Sequence, residues 1–311
     1  MTDKLLWSST FTNTLIEKFI NNVSTYTKSK DYLNIHKWSI KNKDKFWNEI
    51  WNFTNIIGNK KGAILKNSND FINSVFFENS ELNFTENCLT KNDNSDAIIF
   101  FSENNKNRKY SWKEVNELTF KLSYYLKNKG IKPKDRIAGV LPNLPETVIA
   151  FLSTAQIGAI WSSCSADFGP KAIIDRFKQI EPKILFVTDH YYYNNKFINT
   201  LKNIPKILEE IPSIKEVIVI PFDPKNELEV NFKHTKLKKI FKSRNSLKNF
   251  YKFPFNHPLY ILYSSGTTGI PKCIVHGAGG SLIQHKKEHQ IHFNIKENDK
   301  VFYFTTCGWM M

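Results

Sequence analysis

Residues 135–165 read DRIAGVLPNLPETVIAFLSTAQIGAIWSSCS, and this stretch decides the fold class. Asp135–Leu141 is apolar on both faces, the pattern of a strand buried from both sides. Pro145 then opens a helix running to Ala159, at a position where its missing N–H costs nothing. Ile160–Ser165 reads as a second buried strand. Two such strands joined by a helix predict neighbours in a mostly parallel sheet covered on both sides.

The same texture extends in both directions. Downstream, PKAIIDRFKQI (170–180) predicts a helix, KILFVTD (183–189) a strand, KFINTLKNIPKILEEI (196–211) a helix and KEVIVIPF (215–222) a strand. Upstream, AIIFFS (97–102) predicts a short strand. Residues 111–130 form a helix, with Ser111 as N-cap, Glu114 closing a capping box and Gly130 ending it. Residues 1–95 differ: TLIEKFINNV and KDKFWNEIWNFTNIIG place apolar residues at helical spacing, with Phe46, Trp47, Ile50, Trp51 and Phe53 on one side of the second. The expected architecture is α/β: a helical N-terminal extension over 1–95, then mostly parallel sheets flanked by helices over 96–311.

Composition narrows the class. At 311 residues and 41% hydrophobic, the chain can bury a sizeable core. Its 44 Lys and Arg against 29 Asp and Glu give a net charge of +15, but the lysines are dispersed among asparagines and gather on no recognition motif. No nucleic-acid partner is therefore expected, and the basic segment 232–252 reads as a solvated surface connection. Four separated cysteines with no C-x-x-C pair argue for a reducing compartment. The N-terminus lacks a signal-peptide apolar region. The most apolar window, Ile137–Trp161, is cut by PNLPE, short of the ~20 apolar residues of a membrane span. No membrane partner is expected, and the location is read as cytoplasmic.

The chemistry concentrates in YSSGTTGIPK (263–272). Successive hydroxyls and glycine amides form a concave set of donors suited to phosphate oxygens. Gly266 and Gly269 permit torsions that other residues resist, and Lys272 adds a point charge. A Walker A loop would place glycine before the lysine, a hydroxyl after it and a helix next. Here Pro271 precedes Lys272, Cys273 follows it, and the next stretch, CIVHG, is β-like.

The loop meets every position of [ST]-[SG]-G-[ST]-T-G-x-P-K, and on it the chain resembles the adenylate-forming ligases, which include acyl-CoA synthetases. NIHKWSIKNKDKFWNEIWNF, NSELNFTENCL, WSSCSADFGPKAIIDRFKQIEPKILFVTD and FYFTTCGWMM resemble the acetoacetate-activating branch in particular, so the likeness runs over nearly the whole chain. It implies an AMP-binding (adenylation) domain beginning near residue 96. It also implies an ATP-dependent ligation of acetoacetate to coenzyme A through an acyl-adenylate, with Mg2+. Acetate or propionate as the acid, and a nucleotide-binding segment without catalysis, remain open alternatives. By the same resemblance Ser264, Ser265, Gly266, Thr267, Thr268, Gly269 and Lys272 bind the ATP phosphates. Trp309, Met310 and Met311 shape the acyl pocket, and Lys196 meets the nucleotide end of coenzyme A.

Two other features read blandly. HKKEH (285–289), with His292 nearby, has the spacing of an inverted zinc-protease motif, yet the resembling family carries this helix without metal, so no metal site is expected. Cys307 has no evident base beside it and reads as a buried thiol. The family's later adenine, ribose and C-terminal-lysine motifs do not occur before Met311. The expectation is an N-terminal fragment without the C-terminal domain, holding no certain catalytic residue and completing neither half-reaction alone.

Overall fold

The structure is a computed structural model describing residue 6, residues 10–264 and residues 269–310. The chain divides into two compact units, one of Met1–Ser80 with Gly279–Phe302 and one of Glu81–Ala278 with Tyr303–Met311. Residues 81–95, assigned from sequence to the extension, pack in the second unit.

In the first unit, Thr14 and Glu17 cap α1 (Leu15–Thr27) reciprocally, each side chain accepting from the other's amide. Asp31 caps α2 (Tyr32–Lys41), which has no periodic signature strong enough to announce it in the sequence. The tryptophan-rich stretch forms α3 (Lys43–Phe53), burying Ile50 and Trp51. Phe19 meets Phe46 and Phe53 edge-on at 6.1 and 5.3 Å, and Trp51 lies 4.9 Å from Phe77. Distant sequence closes the unit: Leu15 donates its amide to Asn294 Oδ1 at 2.8 Å, and Lys286 Nζ donates to the carbonyls of Thr54 and Asn55.

The second unit starts with α4 (Phe84–Cys88) and a hairpin, β1 (Asp96–Phe100) and β2 (Arg108–Ser111). The strand expected at AIIFFS thus exists, but it pairs antiparallel with β2 and stays out of the main sheet. Then come α5 (Trp112–Asn128), with the Ser111–Glu114 capping box, β3 (Arg136–Val140), α6 (Pro145–Gln156), β4 (Ile160–Cys164), α7 (Pro170–Ile180) and β5 (Ile184–Thr188).

The helix expected at 196–211 begins elsewhere. Residues His190–Tyr193 (β6) and Lys196–Asn199 (β7) form a hairpin turned by Asn194 and Asn195, both at positive φ, and only Ile204–Glu210 (α8) is α-helical. Two consecutive left-handed residues fit asparagine and match the hairpin twist, so the turn overrides the apolar spacing. The chain continues through β8 (Glu216–Ile220), β9 (Thr235–Lys236), α9 (Leu237–Phe241), β10 (Pro258–Ser264) and β11 (Lys272–Gly277) into α10 (Ala278–Lys286) and one π-helical turn, Lys287–His292. The segment 232–252 is therefore more than a surface connection: it supplies an edge strand, and Leu237 and Ile240 are buried.

The seven-stranded sheet has the order β9-β8-β5-β3-β4-β10-β11, parallel throughout except for β11. Both faces are apolar, with a strict period of two. Ile137, Trp161, Ile184, Phe186, Ile218 and Ile220 share one core with α5, α6 and α9. Ala138, Val140, Leu185, Val187, Val217 and Val219 share the other with α7 and α8. Gly139 is required because a Cβ there would sit 2.9 Å from the Trp161 ring. Residues 300–304, mostly apolar, form no ladder among the described residues.

Candidate active site at the carboxyl edge of the sheet

From β3 the chain moves to β4 on one side, and from β4 it returns through α7 to β5 on the other. The carboxyl ends of β3 and β5 therefore form the switch point, the place where open α/β sheets bind ligands. A remote segment of the same unit is seated next to it, beyond the ends of β3 and β4. Asn143, in the β3–α6 connection, donates to the Thr305 carbonyl at 2.6 Å and accepts from the Cys307 amide at 3.1 Å. The Ser163 hydroxyl donates to the Cys307 carbonyl at 2.7 Å.

Beside this turn lies a cavity of about 240 Å³ lined by Phe100, Leu144, Val148 and Thr305–Cys307 among others. Burial pushes the Cys307 thiol up to about 11, consistent with an inert thiol. Trp309 follows with 63% of its surface exposed, and Met310 is half-buried. Met311 lies outside the described residues.

The glycine-rich loop leaves the same edge from β10, which pairs parallel with β4. Ser264 and Lys272 face each other across the β10–β11 hairpin. Ser265, Gly266, Thr267 and Thr268 lie outside the described residues. Gly269 has φ +103°, a torsion that strains any residue with a Cβ. Helix α7 holds the far limb: Gln179 Nε2 donates to the Pro271 carbonyl at 2.9 Å, and the Cys273 thiol points to Gln179 Oε1. The Arg176 guanidinium stacks 4.8 Å from the Phe168 ring and 5.7 Å from that of Tyr263. Tyr263 is buried at the loop's base, and burial raises its phenol well above the usual range.

Lys196 stands exposed on β7, opposite Tyr193. The tip of its hairpin is bound by Glu103, whose two carboxylate oxygens accept from the Asn194 and Asn195 amides at 3.0 and 2.9 Å. The hairpin root is set by Asp189, fully buried, which accepts from the amides of His190, Phe222 and Leu228. Burial alone would raise that carboxyl; the bonds from His190 and the two further amides outweigh it and hold it low. A cavity of about 350 Å³ lies between this hairpin and the switch point, bounded by Val140, Phe168 and Tyr191, with Asp167 on its wall and Lys196 outside it.

A buried ion pair fixes the start of α6. Arg108 bonds Glu146 through both terminal nitrogens, at 2.5 and 3.2 Å, and the Tyr110 hydroxyl donates to the same carboxylate at 2.8 Å. Asn143, Ser163, Gln179, Glu103 and this pair were not marked in the sequence. Each acts on a partner far along the chain, which no local pattern encodes.

His285 and His289 stack at 6.2 Å, and no group of three metal-ligating side chains occurs among the described residues. Two imidazoles do not suit Mg2+, which takes oxygen ligands.

The parallel sheet thus carries a hydroxyl- and glycine-rich sequence at its carboxyl edge, where open α/β sheets bind ligands. Residues 84–311 match the family described as AMP-binding enzyme, and the chain belongs to that family. It is 39% identical over 284 residues to the acetoacetyl-coenzyme A synthetase of Rhizobium meliloti (strain 1021), covering 90% of this chain and 43% of that protein. To the acetoacetyl-CoA synthetase of Gallus gallus it is 37% identical over 292 residues, covering 90% of this chain and 44% of that one. The solved acetoacetyl-CoA synthetase from Streptomyces lividans superposes with a TM-score of 0.89 at 30% identity, over 96% of this chain and 46% of that one. The chain thus spans less than half the length of these relatives.

Proposed function

We propose that the chain contributes the phosphate-binding and acyl-facing parts of an ATP-dependent acid–thiol ligase that makes acetoacetyl-CoA from acetoacetate, ATP and coenzyme A. The observation that carries this reading is that Ser264 and Lys272, the two limbs of the glycine-rich loop, and the 305–310 turn meet one sheet edge. The acid's carboxylate attacks the α-phosphorus of ATP, the bond to the β-phosphate breaks, and pyrophosphate leaves with the charge. Ser264, Ser265, Gly266, Thr267, Thr268, Gly269 and Lys272 stabilise that charge through amide, hydroxyl and ammonium donors. The coenzyme A thiol then displaces AMP from the mixed anhydride.

Mg2+, when bound, lessens repulsion between the phosphates, held chiefly by their oxygens. Trp309, Met310 and Met311 bound the acyl site. Lys196 offers the nucleotide of coenzyme A a cation on the hairpin tied down by Glu103. We place the protein in the reducing cytoplasm, since its four cysteines stand far apart in the sequence with no C-x-x-C pair; no helix among the described residues is long and apolar enough to cross a membrane.

The test is acid-dependent ATP–pyrophosphate exchange by the polypeptide expressed from its full reading frame, with acetoacetate, acetate and propionate compared. Exchange that prefers acetoacetate supports the reading. Preference for acetate or propionate reassigns the acid, and ATP binding without exchange under any acid reduces the protein to a nucleotide-binding module.

A further inference from the structure

We infer that Asn143 is a positioning residue that sets the acid-facing turn against the carboxyl ends of β3 and β4. This rests on the assignment of residues 305–310 to the acyl site. Three bonds converge on one carboxamide: donation to the Thr305 carbonyl at 2.6 Å, and acceptance at 3.1 Å from both the Cys307 amide and its thiol. Only asparagine's paired donor and acceptor, at this short reach, serve both ends of the turn; aspartate would accept but could not donate to Thr305.

The presenting element is rigid. Leu144 is buried, the Thr147 hydroxyl donates to the Pro142 carbonyl at 2.9 Å, and Pro145 fixes the first helical φ. From the opposite side, the Ser163 hydroxyl, almost wholly buried, holds the Cys307 carbonyl. Gly308 lets the turn close: a Cβ there would lie 2.8 Å from the Ser163 carbonyl oxygen and 3.3 Å from the Cys164 Cα. The turn is thus pinned beyond the ends of β3 and β4, and Trp309 is carried by it, its amide donating to the Thr306 carbonyl at 3.1 Å.

Acting through the turn, Asn143 governs the acid and not the nucleotide, because the glycine-rich loop is braced separately by α7. Two measurements on the polypeptide from the full reading frame test this. Asn143→Ala is expected to speed iodoacetamide alkylation of Cys307 about tenfold without substrates, the loss of one or two net hydrogen bonds. It is also expected to raise the acetoacetate KM about tenfold in exchange while moving the ATP KM less than about twofold.

Ser163→Ala, which removes the bond from the strand side with little volume change, is expected to move both readouts in the same direction. Asn143→Asp is expected to retain part of the wild-type protection of Cys307, since it keeps the acceptor. Unchanged Cys307 reactivity in both Asn143→Ala and Ser163→Ala overturns the clamp. Equal rises in the two KM values overturn the positioning role, because a merely structural defect would produce them. Wild-type protein without acid-dependent exchange overturns the acyl assignment and this role with it, while the alkylation arm still reports whether the clamp exists.

Discussion

Replacing Gly158 by alanine tests whether the connection that delivers β4 to the site tolerates a Cβ. Gly158 sits at φ +73°, and a Cβ built there falls 2.4 and 2.5 Å from atoms of the Phe253 ring. The backbone cannot slide away, because the Gly158 carbonyl accepts from the Lys134 amide at 2.8 Å and from His257 Nε2 at 2.8 Å. The ring is held too, stacked 4.7 Å from the His257 ring.

Left-handed torsion costs a residue with a Cβ about 1–2 kcal/mol, and overpacking about 1–3 kcal/mol. Alanine's lower unfolded-state entropy offsets about 0.4–1 kcal/mol. The expected net loss is about 1–5 kcal/mol. Denaturant-dependent hydrogen exchange at the amides of β3 and β4 reads it, since those strands open only with the whole unit. The cycle with Phe253→Ala isolates the cause: the double variant should recover about 1–3 kcal/mol relative to the sum of the single ones. A single-variant loss below about 1 kcal/mol, or strict additivity in the cycle, would refute the steric argument.

Four further outcomes follow from the same geometry. Glu146→Ala leaves the Arg108 cation buried without its carboxylate and should destabilise the second unit by about 3–5 kcal/mol, whereas Arg108→Met with Glu146→Leu should cost far less; chemical denaturation of both variants distinguishes them. The ammonium of Lys106 bonding to Asp223 holds that carboxyl down to about 2; its stabilisation is present above pH ~4, the unfolded value, and is lost as pH falls towards 2. Asp223→Asn should flatten the stability curve over that window. Lys272→Ala should lower kcat/KM for ATP by roughly 10–150-fold, the loss of a bond to a charged group, and an unchanged value would remove Lys272 from the phosphate site. Gln179→Ala, which frees the Pro271 limb, should raise the ATP KM several-fold and leave the acetoacetate KM alone in the same exchange assay.

What the sequence made legible is the part governed by local rules. Strands β3, β4, β5 and β8 announce themselves because a parallel sheet covered on both faces needs continuous apolar runs. Helix α5 does so because the Ser111–Glu114 capping box acts within one turn. The errors arise where a short-range signal meets a competitor. Residues 196–199 carry helix-compatible spacing, yet the Asn194–Asn195 turn folds them back onto β6. AIIFFS has strand composition, but composition does not choose a partner, and β2 lies only a short loop away. The glycine-rich loop is proposed as a phosphate holder on sequence alone, since its hydroxyls and glycines are contiguous. Its bracing by Gln179, and the seating of Thr305–Gly308 on Asn143 and Ser163, join residues 92 to 164 positions apart and leave no trace in any window.

The division of labour between the two bracing systems follows from the sheet. Helix α6 begins with Asn143's connection and packs on one face with Trp161 and Phe186. Helix α7 carries Gln179 and packs on the other face with Leu185 and Val187. A parallel sheet buried on both faces transmits little of a side-chain loss on one face to the other, since each strand's alternate residues belong to different cores. The turn and the loop can therefore be adjusted separately, although both open onto the ends of adjacent strands. That separation makes the contrast between Asn143→Ala and Gln179→Ala the sharpest probe of the site: an acid-side defect and a nucleotide-side defect, produced from opposite faces of one sheet.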